Sequence, residues 1–200
     1  LAATFAIAAA LVASACDGHH APPFPEGQGQ LPRTGAAYPS GPYGIQKGDT
    51  IPNFELTGFP APLEDRKDGV PIALADFYNP GGDGTFPEDS IYGAGPKPKA
   101  LLINVGAVWC QPCQYEADVL LPAQYEKYAP QGVEFLFVLA DGTNPGVAAN
   151  LTQHTNWTKK FDTAWPSTID PDYAIGSLFK ANAFPVNIVV DPETMETNVP

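Results

Sequence analysis

The sequence predicts an α/β fold, a central sheet flanked by helices. Two apolar runs, residues 101–105 and 132–139, are continuous enough to be central strands buried on both faces. A third apolar run, residues 185–190, opens with a proline, and segments of helical length separate the three. Strands alternating with helices build a sheet covered on both faces.

Ordered structure is expected from near Gly44. Residues 51–56 alternate apolar and polar as a half-buried strand does, and residues 71–77 are a second short strand candidate. Residues 79–98 form a Gly- and Pro-rich loop, long enough to suggest an insertion near a functional face, or disorder. After the strand at 101–105, a helix is expected over 111–128. Pro122 should kink or break it, because the ring removes a donor and crowds the preceding turn. Strand 132–139 follows. Asn144 then Pro145 open an expected helix over 144–156, and Asp170 then Pro171 another over 170–180. The last strand, 185–190, ends in a turn at 191–194.

The 200 residues allow one domain with tails. Ten Lys and Arg against 22 Asp and Glu leave a net charge of −12. That balance excludes nucleic acid as a partner, since neutralising phosphates takes clustered cations, and it favours solubility. Three cysteines are too odd a number for a disulfide framework, and Cys16 stands apart from Cys110 and Cys113.

The N-terminus accounts for Cys16. Residues 1–15 are almost wholly apolar and small, too short a run for a membrane span of about 20 residues. They fit the apolar core of an incomplete signal peptide, lacking an initiator Met and a basic start. Leu11-Val-Ala-Ser-Ala-Cys16 resembles a bacterial lipoprotein signal, in which the cysteine sulfur is acylated. Ala13 stands where that pattern commonly has Leu, so a plain secretory signal or an unprocessed anchor remains an alternative. All three place the domain outside the cytoplasm, where disulfides persist. Residues 16–43, rich in Pro and Gly, read as a tether to the membrane, and the domain as residues 44–200. His19 and His20 read as linker.

Trp109-Cys110-Gln-Pro-Cys113 carries the chemistry. Two thiols two residues apart at the start of a helix can close a small disulfide ring, and the helix N-terminus favours a thiolate. The order of strand, W-C-x-P-C, helix, strand, helix and proline-opened strand resembles the thioredoxin fold. More narrowly, residues 43–194 resemble the TlpA/ResA group of membrane-tethered thiol–disulfide oxidoreductases. Asn104 stands where thioredoxins carry a buried Asp, Glu116 lies three residues after the second cysteine, and Phe54 and Leu56 fall in an N-terminal extension. Asp118, where the group usually has Pro, and Phe184, where Thr or Val is commoner, depart from the pattern. The group ends with a further strand and helix whereas this sequence stops at Pro200, so an apparently truncated C-terminus is expected: either a fragment at both ends or an unusually short sheet edge.

The resemblance implies a thioredoxin-like fold with a central mixed sheet and an N-terminal hairpin. It implies Cys110 as nucleophile, Cys113 as resolving thiol and Glu116 as proton carrier, the alternative for Glu116 being a solvated helix acid. Pro185 should be cis, with Phe184 and Trp109 bordering the substrate. Asp118 and Asp141 read as surface acids, and Trp165-Pro166 as a border of the same face. No cofactor is implied. The implied partners are disulfide-containing envelope proteins, such as apocytochromes or copper-site proteins, and a membrane thiol carrier supplying electrons.

Three rivals stand beside this reading. A peroxiredoxin-type peroxidase would need Thr at the position of Ala107. A copper-handling protein would need cysteines three residues apart and a distal His, for which His154 is the candidate. A redox-silent lipoprotein would use the fold only to dock a partner.

Overall fold

The computed structural model describes residues 38–61, 68–178 and 183–198. Cys16, the His19-His20 pair and the signal segment lie outside them. A seven-stranded mixed sheet, in the order β2-β1-β7-β6-β5-β8-β9, organises the chain. Its centre is β5 (Ala100–Ala107), paired parallel to β6 (Val133–Asp141) and antiparallel to β8 (Val186–Asp191). Strand β6 pairs parallel to β7 (Ser167–Ile169), and β9 (Glu196–Thr197) forms a short edge on β8. The N-terminal hairpin expected from the resemblance is β1 (Glu55–Phe59) with β2 (Val70–Ala73), and β1 joins the sheet against β7.

Pleating sorts β5 between two cores. Leu101, Ile103 and Val105 face a core with Ile51, Phe54, Phe77, Ile188 and Met195. Leu102 faces the other, and the register shift between Gly106 and Ala107 turns Ala107 to it as well, where Cys110, Cys113, Leu121, Phe137 and Trp157 pack. Helices α1 (Gln111–Tyr115), α2 (Leu121–Tyr128) and α3 (Leu151–Lys160) cover this second face. Two 3₁₀ turns, Leu74–Phe77 and Gly176–Leu178, contribute to the first.

The helix expected over 111–128 is interrupted, for the reason the proline suggests. A π turn, Glu116–Leu120, separates α1 from α2, with the Leu121 N–H donating to the Glu116 carbonyl. Pro122 sits just after this wider turn, which accommodates the proline ring and its missing N–H within a continuous helical backbone.

Four expectations are corrected. The strand expected over 51–56 starts only at Glu55; before it the Phe54 N–H bonds back to the Pro52 carbonyl, and Ile51 and Phe54 pack into the core. The second candidate, 71–77, is strand only to Ala73 and then turns into 3₁₀ helix, capped where the Asp76 carboxylate accepts the Ala73 N–H. The helix expected from Asn144 begins at Leu151, because Asn150 and Gln153 form a reciprocal capping box there while Gly146 holds a positive φ of 72° in a turn. Among the described residues the helix expected over 170–180 is only the 3₁₀ turn Gly176–Leu178, residues 179–180 lying outside them: Asp170 accepts from the N–H groups of Ala174, Ile175 and Gly176, and Tyr173 sits at φ 52°. Strand β7 escapes the sequence pattern because Ser-Thr-Ile is short and lacks an apolar run.

The loop at 79–98 is ordered and lies away from the functional face. It carries a two-stranded ribbon, β3 (Thr85–Phe86) with β4 (Gly95–Pro96), and leads directly into the start of β5, the end opposite Cys110. Phe77, Phe86 and Tyr92 pack their rings together beneath it. Asn79 donates to the Pro98 carbonyl and accepts from the Gly84 N–H.

Candidate active site

Strand β5 delivers the chain to the site and α1 turns it back across the same face. Cys110 is the N-cap of α1, with its Sγ 3.2 Å from the Cys113 N–H. The Cys110–Cys113 disulfide closes across a Cα–Cα distance of 5.2 Å, and both residues are buried, at 2 % and 3 % exposure. Gly106 makes room beneath: a Cβ there would stand 3.3 Å from the Cys113 Cβ and 3.2 Å from the Phe137 ring. Sequence reading passed over Gly106, whose only signal is a residue without a side chain ending an apolar strand.

One turn after Cys113, the π turn that continues α1 carries Glu116 back over β5. Below it lies a cross-strand pair of amides, Asn104 of β5 opposite Asn187 of β8. The Asn104 Nδ2 donates to Glu116 Oε2 and to Asn187 Oδ1, each at 2.8 Å. The Asn187 Nδ2 donates to Glu116 Oε1 at 3.1 Å and Oε2 at 3.3 Å. Burial raises the Glu116 pKa, and the hydrogen bonds from Asn187 and Asn104 oppose that rise by favouring the carboxylate. Glu116 is half-buried, unlike Asp118, which is exposed as expected. Asn187 was not singled out in the sequence. Its signal is a polar residue inside an apolar strand, legible only once its register partner is known.

The Phe184–Pro185 peptide is cis, as the resemblance implies, and β8 begins at the next residue. The Phe184 ring meets Trp109 edge-on, with centroids 6.1 Å apart. Trp109 is fixed from behind by Asp141, whose Oδ2 accepts from the indole Nε1 at 3.0 Å and from the Gly146 N–H at 2.8 Å. Tyr173 donates its hydroxyl to the other oxygen at 2.7 Å. Asp141 is therefore no surface acid: it is 4 % exposed and joins the Cys110 segment to the loops after β6 and β7. Its place at the end of a continuous apolar strand explains its burial.

Trp165-Pro166 is also corrected. Trp165 packs against Tyr125 and Phe135, and Pro166 precedes β7 at the end opposite the cysteines. Ala107 is a buried residue without a hydroxyl beside the disulfide. His154 is fully buried on α3, stacked on Phe59 at 4.8 Å and hydrogen-bonded to Ser167.

No protein-family model matches the chain. Among curated proteins it is similar to the thiol-disulfide oxidoreductase ResA of Bacillus cereus, 28 % identical over 48 % of this chain and 51 % of that protein. ResA of Bacillus thuringiensis subsp. konkukian is 26 % identical over 74 % of this chain and 66 % of its own length. The chain thus spans between half and two-thirds of the length of these relatives. Among solved structures, a thiol:disulfide interchange protein from Bacteroides sp. superposes with a TM-score of 0.51 at 17 % identity, covering 78 % of this chain and 83 % of that one. The thioredoxin domain of a thiol-disulfide oxidoreductase from Bacteroides vulgatus gives a TM-score of 0.50 at 18 % identity, over 78 % and 89 %. The chain has a thioredoxin-like fold and is ResA-like in sequence.

Proposed function

We propose that this ResA-like chain is an extracytoplasmic thiol–disulfide oxidoreductase. The observation that carries the proposal is the Cys110–Cys113 disulfide at the N-terminus of α1, in a segment whose Trp109 meets the residue preceding Pro185. In the reducing direction, the Cys110 thiolate attacks a substrate disulfide, and one substrate sulfur leaves as thiolate with the electron pair. Cys113, deprotonated, then attacks Cys110 Sγ. The second substrate thiolate departs, and the Cys110–Cys113 disulfide forms. A dithiol donor reverses the change in the protein. Glu116 carries the Cys113 proton, and Trp109, Phe184 and Pro185 receive an extended substrate segment.

The substrates are envelope proteins with disulfides, among them apocytochromes or copper-site proteins, and the donor is a membrane thiol carrier. The lipid anchor at Cys16 would hold the domain at the bacterial membrane. The ResA similarity and the incomplete signal sequence support this placement. Ala107 lacks the hydroxyl a peroxiredoxin-type site would use, and His154 is engaged with Phe59 and Ser167, which weighs against the copper-handling alternative.

A Cys113→Ser variant expressed in cells should accumulate mixed disulfides through Cys110, released by dithiothreitol and lost in Cys110→Ser. Absence of any Cys110-dependent adduct, with the disulfide of the purified protein inert to dithiols, would overturn the proposal in favour of a redox-silent docking role.

A further inference from the structure

The amides of Asn104 and Asn187 both donate into the Glu116 cluster. Asn104 has two amide protons, one to Glu116 Oε2 and one to Asn187 Oδ1, while the Asn187 Nδ2 donates one proton shared between the two Glu116 oxygens. A cluster that only filled space between β5, β8 and α1 would need no such alignment. This one presents three donor contacts to one carboxylate and leaves Asn187 Oδ1 occupied by Asn104, so the orientation of both amides is set. The strand register makes the arrangement: Asn104 and Asn187 are directly opposite, on the face that also carries Gly106 beneath Cys113.

We propose that Asn187, oriented by Asn104, is a positioning residue that holds the Glu116 carboxylate one turn from Cys113 and keeps it ready to take the Cys113 proton. The inference rests on the oxidoreductase reading and adds the residue that tunes its proton step. In that step the Cys113 S–H gives its proton to a Glu116 oxygen. The resulting thiolate forms the bond to Cys110 Sγ, and the substrate sulfur leaves with the electron pair of the broken S–S bond. Protonated Glu116 returns the proton when a donor dithiol cleaves the Cys110–Cys113 bond and Cys113 leaves as thiolate. The titratable groups near Glu116 along this helix are Cys110 at the N-cap of α1, Cys113 and the exposed Tyr115 on α1, and the exposed Asp118 on the π turn; β5 and β8 place the two neutral amides against it.

The test is the pH profile for ring closure after reduced protein reacts with oxidised glutathione, followed as glutathione release in a single turnover. Asn187→Leu removes the donors without adding charge. The rising limb set by Glu116 should move up by about one pH unit, because Asn104 alone then opposes burial of the carboxylate. Asn187→Ser, which keeps one donor and is the smaller perturbation to folding, should fall between. In a Glu116→Gln background the limb should vanish and Asn187→Leu should move nothing further. Carbon NMR titration of the Glu116 carboxyl gives a readout independent of turnover, and should shift the same way in both Asn187 variants. If neither variant shifts that titration, or if the limb moves equally in Glu116→Gln, the inference is overturned. If the titration shifts but wild-type protein exchanges no disulfide, the oxidoreductase reading alone falls.

Discussion

The two ends of the sheet bury polar side chains in comparable number and use them differently. At the end where β5 starts, Lys97 donates its Nζ to the backbone carbonyls of Asp76 and Tyr78, at 2.7 and 2.8 Å. Asp76 accepts from the Ala73 N–H and the Tyr92 hydroxyl, and Asn79 ties the loop to itself. At the cysteine end, Asp141 binds two side chains, Trp109 and Tyr173, besides one backbone N–H, and Glu116 is held by two amides. Polar groups tied to backbone shape a loop. Polar groups tied to other side chains set the orientation and charge of groups that face a substrate. The same desolvation cost therefore stabilises an insertion at one end and presents chemistry at the other.

Three experiments would break or sharpen that contrast. The largest effect is expected from Asp141→Ala, which strands the Trp109 indole, the Tyr173 hydroxyl and the Gly146 N–H. It should cost about 3 kcal/mol in denaturant unfolding and also slow disulfide exchange, because Trp109 loses its anchor. Exchange unchanged in the folded fraction would show that Asp141 serves stability alone.

Lys97→Met keeps an apolar stem but removes the ammonium that lies 5.5 Å from the Phe86 ring centroid and leaves two carbonyls without their donor. About 2 kcal/mol of stability should be lost, with the exchange rate per folded molecule unaltered. A slowed rate would mean that the two ends communicate.

The smallest and most discriminating effect is in pH dependence. Burial raises the pKa of Glu116 at one end and of Glu134 at the other; Phe135 N–H and Tyr125 oppose the rise at Glu134. The folded state then holds these protons to higher pH than the unfolded chain. Each residue's contribution to stability is full below the ordinary glutamate range and is lost as pH rises through the folded value. Glu134→Gln and Glu116→Gln should both flatten that slope in urea titrations, but only Glu116→Gln should change the pH profile of exchange. A change from Glu134→Gln would erase the distinction.

Much of this arrangement was legible in the chain. Short, mostly apolar runs bounded by turn residues read as buried strands, so β5, β6 and β8 were readable despite Asn104, Glu134 and Asn187 within them, and so were the helix start at the Cys pair and the disruption near Pro122. Capping residues were recognisable but ambiguous. Asn144 and Asn150 are both competent, and the reciprocal bond with Gln153 selects the second. Asp170 satisfies N–H groups four to six residues ahead, which builds a turn where the same residue nearer its donors would start a helix. Short strands such as β7 and β9 have too few residues to show a period; their partners define them.

By itself the sequence determined the α/β class, the dithiol and its place at a helix N-terminus, because these depend on periodicity and on spacing within a few residues. Tertiary structure alone decided that Asn187 faces Asn104 under Glu116, that Asp141 is a buried anchor for Trp109, and that the 79–98 loop belongs to the far end. Those relations join residues tens of positions apart. They are set by strand register and by the direction in which the chain enters each strand, and neither is written in local pattern.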